Sequence, residues 1–553
     1  MVVETIPARL RFHAEGRPLA TFCTFLARGQ AESIAFSELL ERSLAYARFY
    51  SRLGIKRGDL ILIILQHTPH LFYSYLGAML AGAVPSFMPF PSPKQRAEFY
   101  WADHEILIDR IKPRLIVSYA ANLEAARATI PGFDTPAAVA SDEILTDPGD
   151  GLSFTPDGFS SSADDVACMQ HSSGTTSLKK GVVLTHRAIL GEVEAYSKAI
   201  GFGAADRIAS WLPLYHDMGF IACFMRSVIE GTHLIALDPF EWTMRPSLLL
   251  DAIERYRATL CWLPNFAFSH IVNTSRGEGT PDLSSMRAFI NCSEPCKAHT
   301  FERFAERFGG AGITPEKLHV SYAMAENVFG VTQTVLGRPV RVLSVDPDAF
   351  SRGRVELAHG SYALSLLSCG PPIDGVRLRI CDPSGNEVAV DGIGEIHVSS
   401  PFLFDGYYRL PEKTAERMRG AWFATGDMGF LLDGELFVTG RIDDMLIVNG
   451  RNYYSHEIEA AVNGVNGVLP GRSVAISAED ERADATVVVV LVETAPGCDV
   501  ARLGSEVRKR VAERLGLGIH AVVPVAPGRL VKTTSGKISR NKNRELFVEG
   551  AFS

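Results

Sequence analysis

No two of the nine cysteines form a Cys-x-x-Cys pair, and their number is odd, so neither a disulfide framework nor a zinc site is expected. Cys292 and Cys296 come nearest to a pair, and as free thiols they read as small buried residues. There is no dense Lys/Arg block. The net charge is −8, which gives no electrostatic reason to expect nucleic acid or an anionic membrane surface as a partner. Between Met1 and Phe12 no basic start leads into an apolar run, so no secretory signal is read and a cytoplasmic location is expected. Long hydrophobic runs are also missing. The longest candidate, Leu60 to Pro91, is broken by Gln66, His67, Thr68, Pro69 and His70 into a short run and a helix-length stretch. Neither piece reaches the roughly 18 to 20 uninterrupted apolar residues of a membrane span. Internal repeats and low-complexity tracts are absent too.

What the chain has is material for more than one core. At 553 residues, with 46% apolar and 21% charged, it reads as a large layered domain with at least one smaller one. The pattern is α/β. Helical periodicity over Phe36 to Leu53 leads to a strand over Leu60 to Leu65, a helix over Pro69 to Ala81, a strand over Val84 to Met88 and, after another helix, a strand over Leu115 to Ser118. Such alternation implies right-handed crossovers and a largely parallel sheet. From about Ile373 to Val438 the texture changes to short alternating runs, Val376 to Ile380 and Gly394 to Val398, with turns at Pro383-Ser384-Gly385 and Asp433-Gly434. This portion reads as antiparallel or barrel-like. From Arg441 helix and strand alternate anew, which divides the chain into domains over 1–440 and 441–553.

The strongest chemical signal is His171-Ser172-Ser173-Gly174-Thr175-Thr176-Ser177-Leu178-Lys179-Lys180-Gly181, followed by strand-like Val182-Val183-Leu184. Small hydroxyl residues around Gly174 let the backbone approach an anion and add donors, and Lys180 adds charge. A loop of this kind suits the β- and γ-phosphates of ATP, although Ser/Thr/Gly-rich stretches also form plain surface turns. The Walker A spacing is absent.

Six further motifs follow in order: Trp211-Leu212-Pro213-Leu214-Tyr215-His216-Asp217-Met218-Gly219, Asn291-Cys292-Ser293-Glu294-Pro295, Tyr322-Ala323-Met324-Ala325-Glu326, Thr425-Gly426-Asp427, Gly440-Arg441-Ile442-Asp443-Asp444 and Thr533-Thr534-Ser535-Gly536-Lys537. Together with the phosphate loop they make the chain resemble the adenylate-forming superfamily over nearly its whole length. The nearest branches are the fatty acyl-AMP ligases and acyl-CoA synthetases. The resemblance implies a large N-terminal domain of layered αβα subdomains with a distorted β-barrel, and a small mobile α+β C-terminal domain. It also implies ATP and Mg²⁺, and a fatty or other apolar carboxylic acid as substrate.

By resemblance, Ser172, Ser173, Gly174, Thr175, Thr176 and Lys180 hold the phosphates, with Thr175 and Glu326 on Mg²⁺. Asn291 through Ser293 and Glu294 line the adenine side, and Tyr322, with Ala323, Met324 and Ala325 beside it, stacks on the base. Asp427 takes the ribose hydroxyls, which the two oxygens of a carboxylate can do, and Arg441 reaches ribose and phosphate after domain closure. Lys537 bridges the attacking carboxylate and the α-phosphate, Asp443 is the hinge, and His216 lies beside the acyl pocket. Trp262, Phe266 and Phe268 form an aromatic cluster that fits either the acyl pocket or plain core.

Several features resemble the acyl-AMP ligase branch, in which a carrier-protein pantetheine accepts the acyl group and free CoA is used poorly. They are Ser177 in the loop, the Tyr-His-Asp-Met-Gly motif, Gly450-Arg451-Asn452-Tyr453-Tyr454 after the hinge, and an extended stretch before Gly370 that contains Val345 to Arg354. Lys179, Ala323 and Cys292-Ser293 depart from the usual Pro, Gly and Gly-Ala, and acyl-CoA synthesis stays open as the alternative. A non-catalytic nucleotide- or acyl-binding relative is a third reading. Joint retention of Lys180, Glu326, Asp427, Arg441 and Lys537 argues against it, since a binding module needs neither metal ligand nor mobile lysine.

Overall fold

The run Leu60–Ile64 is buried along its whole length, which is why its sequence is continuously apolar rather than alternating. It forms an inner strand of a four-stranded parallel sheet, ordered Val84–Phe87, Leu60–Ile64, Leu115–Ser118, Ala137–Ala140. The computed structural model describes residues 4–552 except 92–96, 131–132, 134–136, 142–143, 145–155, 172–179, 276–280, 361–362, 449–450, 481–484, 496 and 533–537.

The helix His70–Leu80 is apolar on every face because every face is covered. It packs so closely on Phe36–Arg52 that a Cβ on Gly77 would lie 2.4 Å from Cβ of Tyr46. Among the described residues no helix is long and apolar enough to cross a membrane.

A second sheet has eight strands, ordered Gly330–Gln333, Leu318–Ala323, Ala288–Asn291, Leu260–Leu263, Arg207–Ser210, His233–Leu237, Thr21–Ala27, Gln30–Ala35. Its interior pairs are parallel and its two edge pairs antiparallel. The carboxyl ends of its parallel strands open toward the site, as in other open α/β sheets. The hairpin Val166–His171 and Gly181–Thr185 packs against Val84–Phe87 of the first sheet and is paired out to His171 and Gly181.

The antiparallel portion consists of Arg377–Cys381, Gly394–Ser399, Trp422–Leu432, Met418–Arg419 and Glu435–Arg441. Asp433 and Gly434 both have positive φ, 53° and 80°, which is the two-residue hairpin turn their sequence suggests. Thr425-Gly426-Asp427, a turn by composition, lies instead within the long strand. The register there slips between Glu395 and His397, a bulge with Gly426 at φ 79°. The bulge turns Asp427 toward the cleft.

The last part of the chain has packing of its own. Ser455–Val462 and Val500–Leu515 cover a sheet of Val468–Asp480, Ala485–Thr494 and Ala521–Val525, around Ile458, Val462, Val490, Val507 and Val511. Tyr454 reaches back from this part into an apolar cluster with Leu343, Val345, Phe350, Phe430 and Phe437.

Candidate active site

The loops at the sheet ends and the face of the C-terminal part enclose a cleft of about 2740 Å³. Tyr322, Ala323, Met324, Ala325 and Glu326 line it together, because the strand Leu318–Ala323 ends there and runs into a tight turn. In that turn Val328 has φ 63° and ψ −62°, with the Phe329 N–H donating to the Asn327 carbonyl at 2.7 Å. This γ-turn is an uncommon conformation for a β-branched residue. Neighbours hold it: Gln170 Nε2 donates to the Val328 carbonyl at 3.2 Å, and Asn327 Nδ2 to the Gly330 carbonyl at 2.7 Å.

Glu326 accepts a hydrogen bond on Oε1 from the Tyr407 hydroxyl at 2.7 Å. The ammonium of Lys180 lies 4.8 Å from the centroid of the same Tyr407 ring, within cation–π range. Burial, with Arg417 nearby, pushes the Lys180 amine below its usual pKa, and Glu326 opposes that shift. Tyr407 thus joins the two charged groups expected at the phosphates, a role nothing in its tripeptide Gly406-Tyr407-Tyr408 announces.

In the same cleft, Asp427 receives two donors. The Tyr322 hydroxyl donates to Oδ2 at 2.6 Å and Arg441 Nε to Oδ1 at 3.0 Å. Burial pushes the Asp427 carboxyl up while Arg441 and Tyr322 pull it down. Tyr322 therefore lies at the cleft wall with its hydroxyl committed to Asp427.

His216 is half-buried in the cleft wall. Beyond it Met218–Met225 forms a wide π-helical turn, a rare element that often marks functional sites. Asp217 opens that turn by accepting from the Met218 N–H at 2.8 Å. Gly219 is required there, since a Cβ would come within 2.5 Å of the Pro213 carbonyl oxygen. The periodicity of apolar residues alone reads this stretch as ordinary helix or strand.

Ser293 and Glu294 line the cleft, Ser293 at a left-handed φ of 70°. Glu294 Oε1 accepts from the Phe266 N–H at 3.3 Å. Asn291 and Cys292 do not line it: both are fully buried, and Asn291 Nδ2 donates to Asn265 Oδ1 at 2.9 Å.

The aromatic cluster separates. Phe266 is 44% exposed and lines the cleft, its edge toward the stacked indoles of Trp211 and Trp242, whose centroids are 3.6 Å apart. Trp262 takes the core reading rather than the acyl-pocket one: it is fully buried, its Nε1 donates to the Tyr196 hydroxyl at 3.2 Å, and it is not among the residues lining the cleft. Its strand turns this side chain to the sheet face covered by Tyr196, away from the opening. Phe268 is core as well, packed on Phe289, Phe301 and Phe304.

On the C-terminal side, Asp443 lies exposed at the cleft rim in the short turn Ile442–Asp444. Its neighbour Asp444 and Glu459 are both bound by Arg540, at 2.8 Å through Nη1 and in a two-pronged contact of 2.9 and 2.7 Å through Nε and Nη2. Arg540, not singled out by sequence, thereby ties the segment after 537 to the segment after 441. The stretch before Gly370 also touches this part. The helix Pro347–Ser351 places Asp348 2.9 Å from Arg451, and Phe350 packs against Tyr454 with ring centroids 6.2 Å apart. Ser172, Ser173, Gly174, Thr175, Thr176 and Lys537 lie outside the described residues.

Residues 10–408 match the family of AMP-binding enzymes. The chain is 30% identical to the medium-chain-fatty-acid–[acyl-carrier-protein] ligase JamA of Moorena producens, over 96% of this chain and 92% of that protein. It is 28% identical to the long-chain-fatty-acid–AMP ligase FadD28 of Mycobacterium bovis, over 100% and 99%. A solved fatty acyl-adenylate ligase of L. pneumophila, in complex with acyl adenylate and pyrophosphate, superposes with a TM-score of 0.74 at 27% identity, over 99% of this chain and 96% of that one.

Proposed function

Since the chain belongs to the family of AMP-binding enzymes, we propose that its cleft is the site of an ATP-dependent ligase that activates a fatty acid to acyl-AMP and then transfers the acyl group to a carrier-protein pantetheine. In the first step a carboxylate oxygen attacks the α-phosphorus, the bond to the β-phosphate breaks and pyrophosphate leaves. In the second a thiol attacks the acyl carbonyl and AMP leaves. The observation that carries this reading is the convergence of Lys180, His216, Glu326 and the paired residues Asp427 and Arg441 on one cleft from four separate stretches of chain.

Two anions must meet for the first step, so the site has to offset phosphate charge and align the carboxylate. Lys180 contributes positive charge, Asp427 accepts from the ribose, and Lys537 bridges carboxylate and α-phosphate. Asp443 is the hinge about which a mobile domain from 441 onward turns, carrying Lys537 in and out. Glu326, with Thr175, would hold Mg²⁺. The fit is chemical: a carboxylate oxygen is a hard ligand, and magnesium commonly takes one or two carboxylates plus substrate phosphates. When bound, Mg²⁺ neutralises phosphate charge.

The acyl chain runs past His216 and Phe266 along the apolar wall. The contacts of Asp348 and Phe350 with Arg451 and Tyr454 tie the stretch before Gly370 to the C-terminal part, and as a restraint on its rotation they support a carrier protein over free CoA as acceptor.

The test is incubation of the purified protein with ATP, Mg²⁺ and a panel of fatty acids, with and without CoA, with products identified by mass spectrometry. Acyl-AMP that accumulates and persists with CoA is the expected result. Efficient acyl-CoA formation would sink the acceptor assignment and leave adenylation standing; no adenylate with any acid would sink both. Lys537→Ala is expected to bind ATP and lose acyl-AMP formation.

A further inference from the structure

Beside the cleft lies a recess of about 20 Å³, room for about one water-sized group. Phe90, Pro213, Tyr215, Pro239 and Phe240 line both the cleft and the recess, so the recess is a side pocket off the cleft wall. Its remaining wall is aliphatic and aromatic except for one side chain, His67. That residue is 8% exposed and stacks on Phe25 with centroids 4.7 Å apart. Its Nε2 is buried with no hydrogen-bond partner.

A polar nitrogen in such surroundings is destabilising unless something bonds it. Burial pushes the imidazole below its usual value, with Asp238 opposing, which favours the uncharged ring. In a neutral imidazole each nitrogen is either donor or acceptor according to tautomer. A hydroxyl is the smallest substituent that matches both states, and it fits the volume. A methyl or methylene would leave Nε2 unbonded.

Resting on the reading of the cleft as a fatty-acid adenylation site, we propose that this recess recognises a hydroxyl group on the acyl chain through His67. The preferred substrate is then a hydroxylated fatty acid rather than the unsubstituted acid of the same length.

The experiment measures acyl-AMP formation by the full-length protein with decanoic acid and a positional series of monohydroxydecanoic acids. The readout is the kcat/KM of each hydroxy isomer divided by that of decanoic acid, so each protein is its own reference. For the wild type one isomer is expected to exceed decanoic acid by about tenfold or more, the worth of one recovered buried hydrogen bond. His67→Phe, which keeps the stack on Phe25 and removes the nitrogen, is expected to bring that ratio to about one or below. His67→Gln, which restores a hydrogen-bonding group, is expected to recover part of the preference. A wild-type ratio of one or less across the series, as when the recess holds only a structural water, overturns the proposal. So does a preference that survives in His67→Phe. Failure to adenylate any acid overturns the reading of the cleft itself, and that outcome is distinct because decanoic acid then gives no product either.

Discussion

Tyr322 donates its hydroxyl to Asp427 at 2.6 Å across 105 residues of chain. The other oxygen of Asp427 accepts from Arg441. The carboxylate is thus held in one rotamer by donors on two sides, with its remaining lone pairs available for the ribose hydroxyls of the nucleotide proposed above. Asp427 owes its aim to the strand bulge, and Tyr322 owes its aim to the end of an inner strand of the other sheet.

If the Tyr322 hydroxyl orients Asp427, Tyr322→Phe will weaken ATP binding about tenfold to a hundredfold, because a hydrogen bond to a charged group is worth more than a neutral one. Asp427→Ala will weaken it further. Adding Tyr322→Phe to Asp427→Ala will then have little additional effect, since the two act as a unit. Isothermal titration with ATP across the four proteins measures this. Strictly additive losses would mean that the tyrosine acts on the base alone.

Tyr407 makes a different kind of prediction. Tyr407→Phe keeps the ring beneath Lys180 and removes only the hydroxyl that Glu326 accepts. The Mg²⁺ concentration for half-maximal adenylation is expected to rise by about tenfold or more, from one lost hydrogen bond to a charged group. KM for the fatty acid is expected to stay unchanged. A change in fatty-acid KM with normal Mg²⁺ dependence would place Tyr407 at the acyl pocket instead. Titrating Mg²⁺ at fixed ATP separates the two.

The architecture was legible where one residue pattern has one structural solution. Continuous apolar runs such as Leu60–Ile64 pair in parallel sheets because nothing else buries both faces, and Asp433-Gly434 makes a tight hairpin because both positions need positive φ. Trp262 and Phe266 show where this stops. They are close in sequence and both aromatic, yet one ends in the core and the other on the cleft, and only the direction each backbone gives its side chain decides between them. Thr425-Gly426-Asp427 has the composition of a turn, and pairing with two neighbouring strands overrode that local preference. Tyr407 and Arg540 went unread because their value lies in partners far along the chain: Glu326 is 81 residues from Tyr407, and Glu459 is 81 from Arg540.

The last prediction concerns Glu192, fully buried on the helix His186–Ala199. Its Oε1 accepts from the Gly330 N–H at 2.7 Å, and Gly330 follows directly on the γ-turn that presents Glu326. A side chain on Gly330 would meet the Tyr196 ring at 2.2 Å, so this tether depends on a bare backbone. Burial pushes the Glu192 carboxyl from 4.5 up to about 7, with Arg226 and the Gly330 N–H opposing. Because the folded value lies above the unfolded one, the folded state binds the proton more tightly between them. The associated stability is fully present below about pH 4.5 and is lost as pH rises through about 7. Glu192→Gln keeps an oxygen for Gly330 and cannot titrate. Relative to that variant, the wild type is expected to lose up to about 3 kcal/mol of stability between pH 5 and pH 8, a raised value of two to three units taken at its full worth. Urea unfolding of both proteins at pH 5, 6, 7 and 8 reads this directly. Curves that stay parallel across the range would mean that Glu192 is ionised throughout, held by Arg226, and that the tether to Gly330 does not depend on pH.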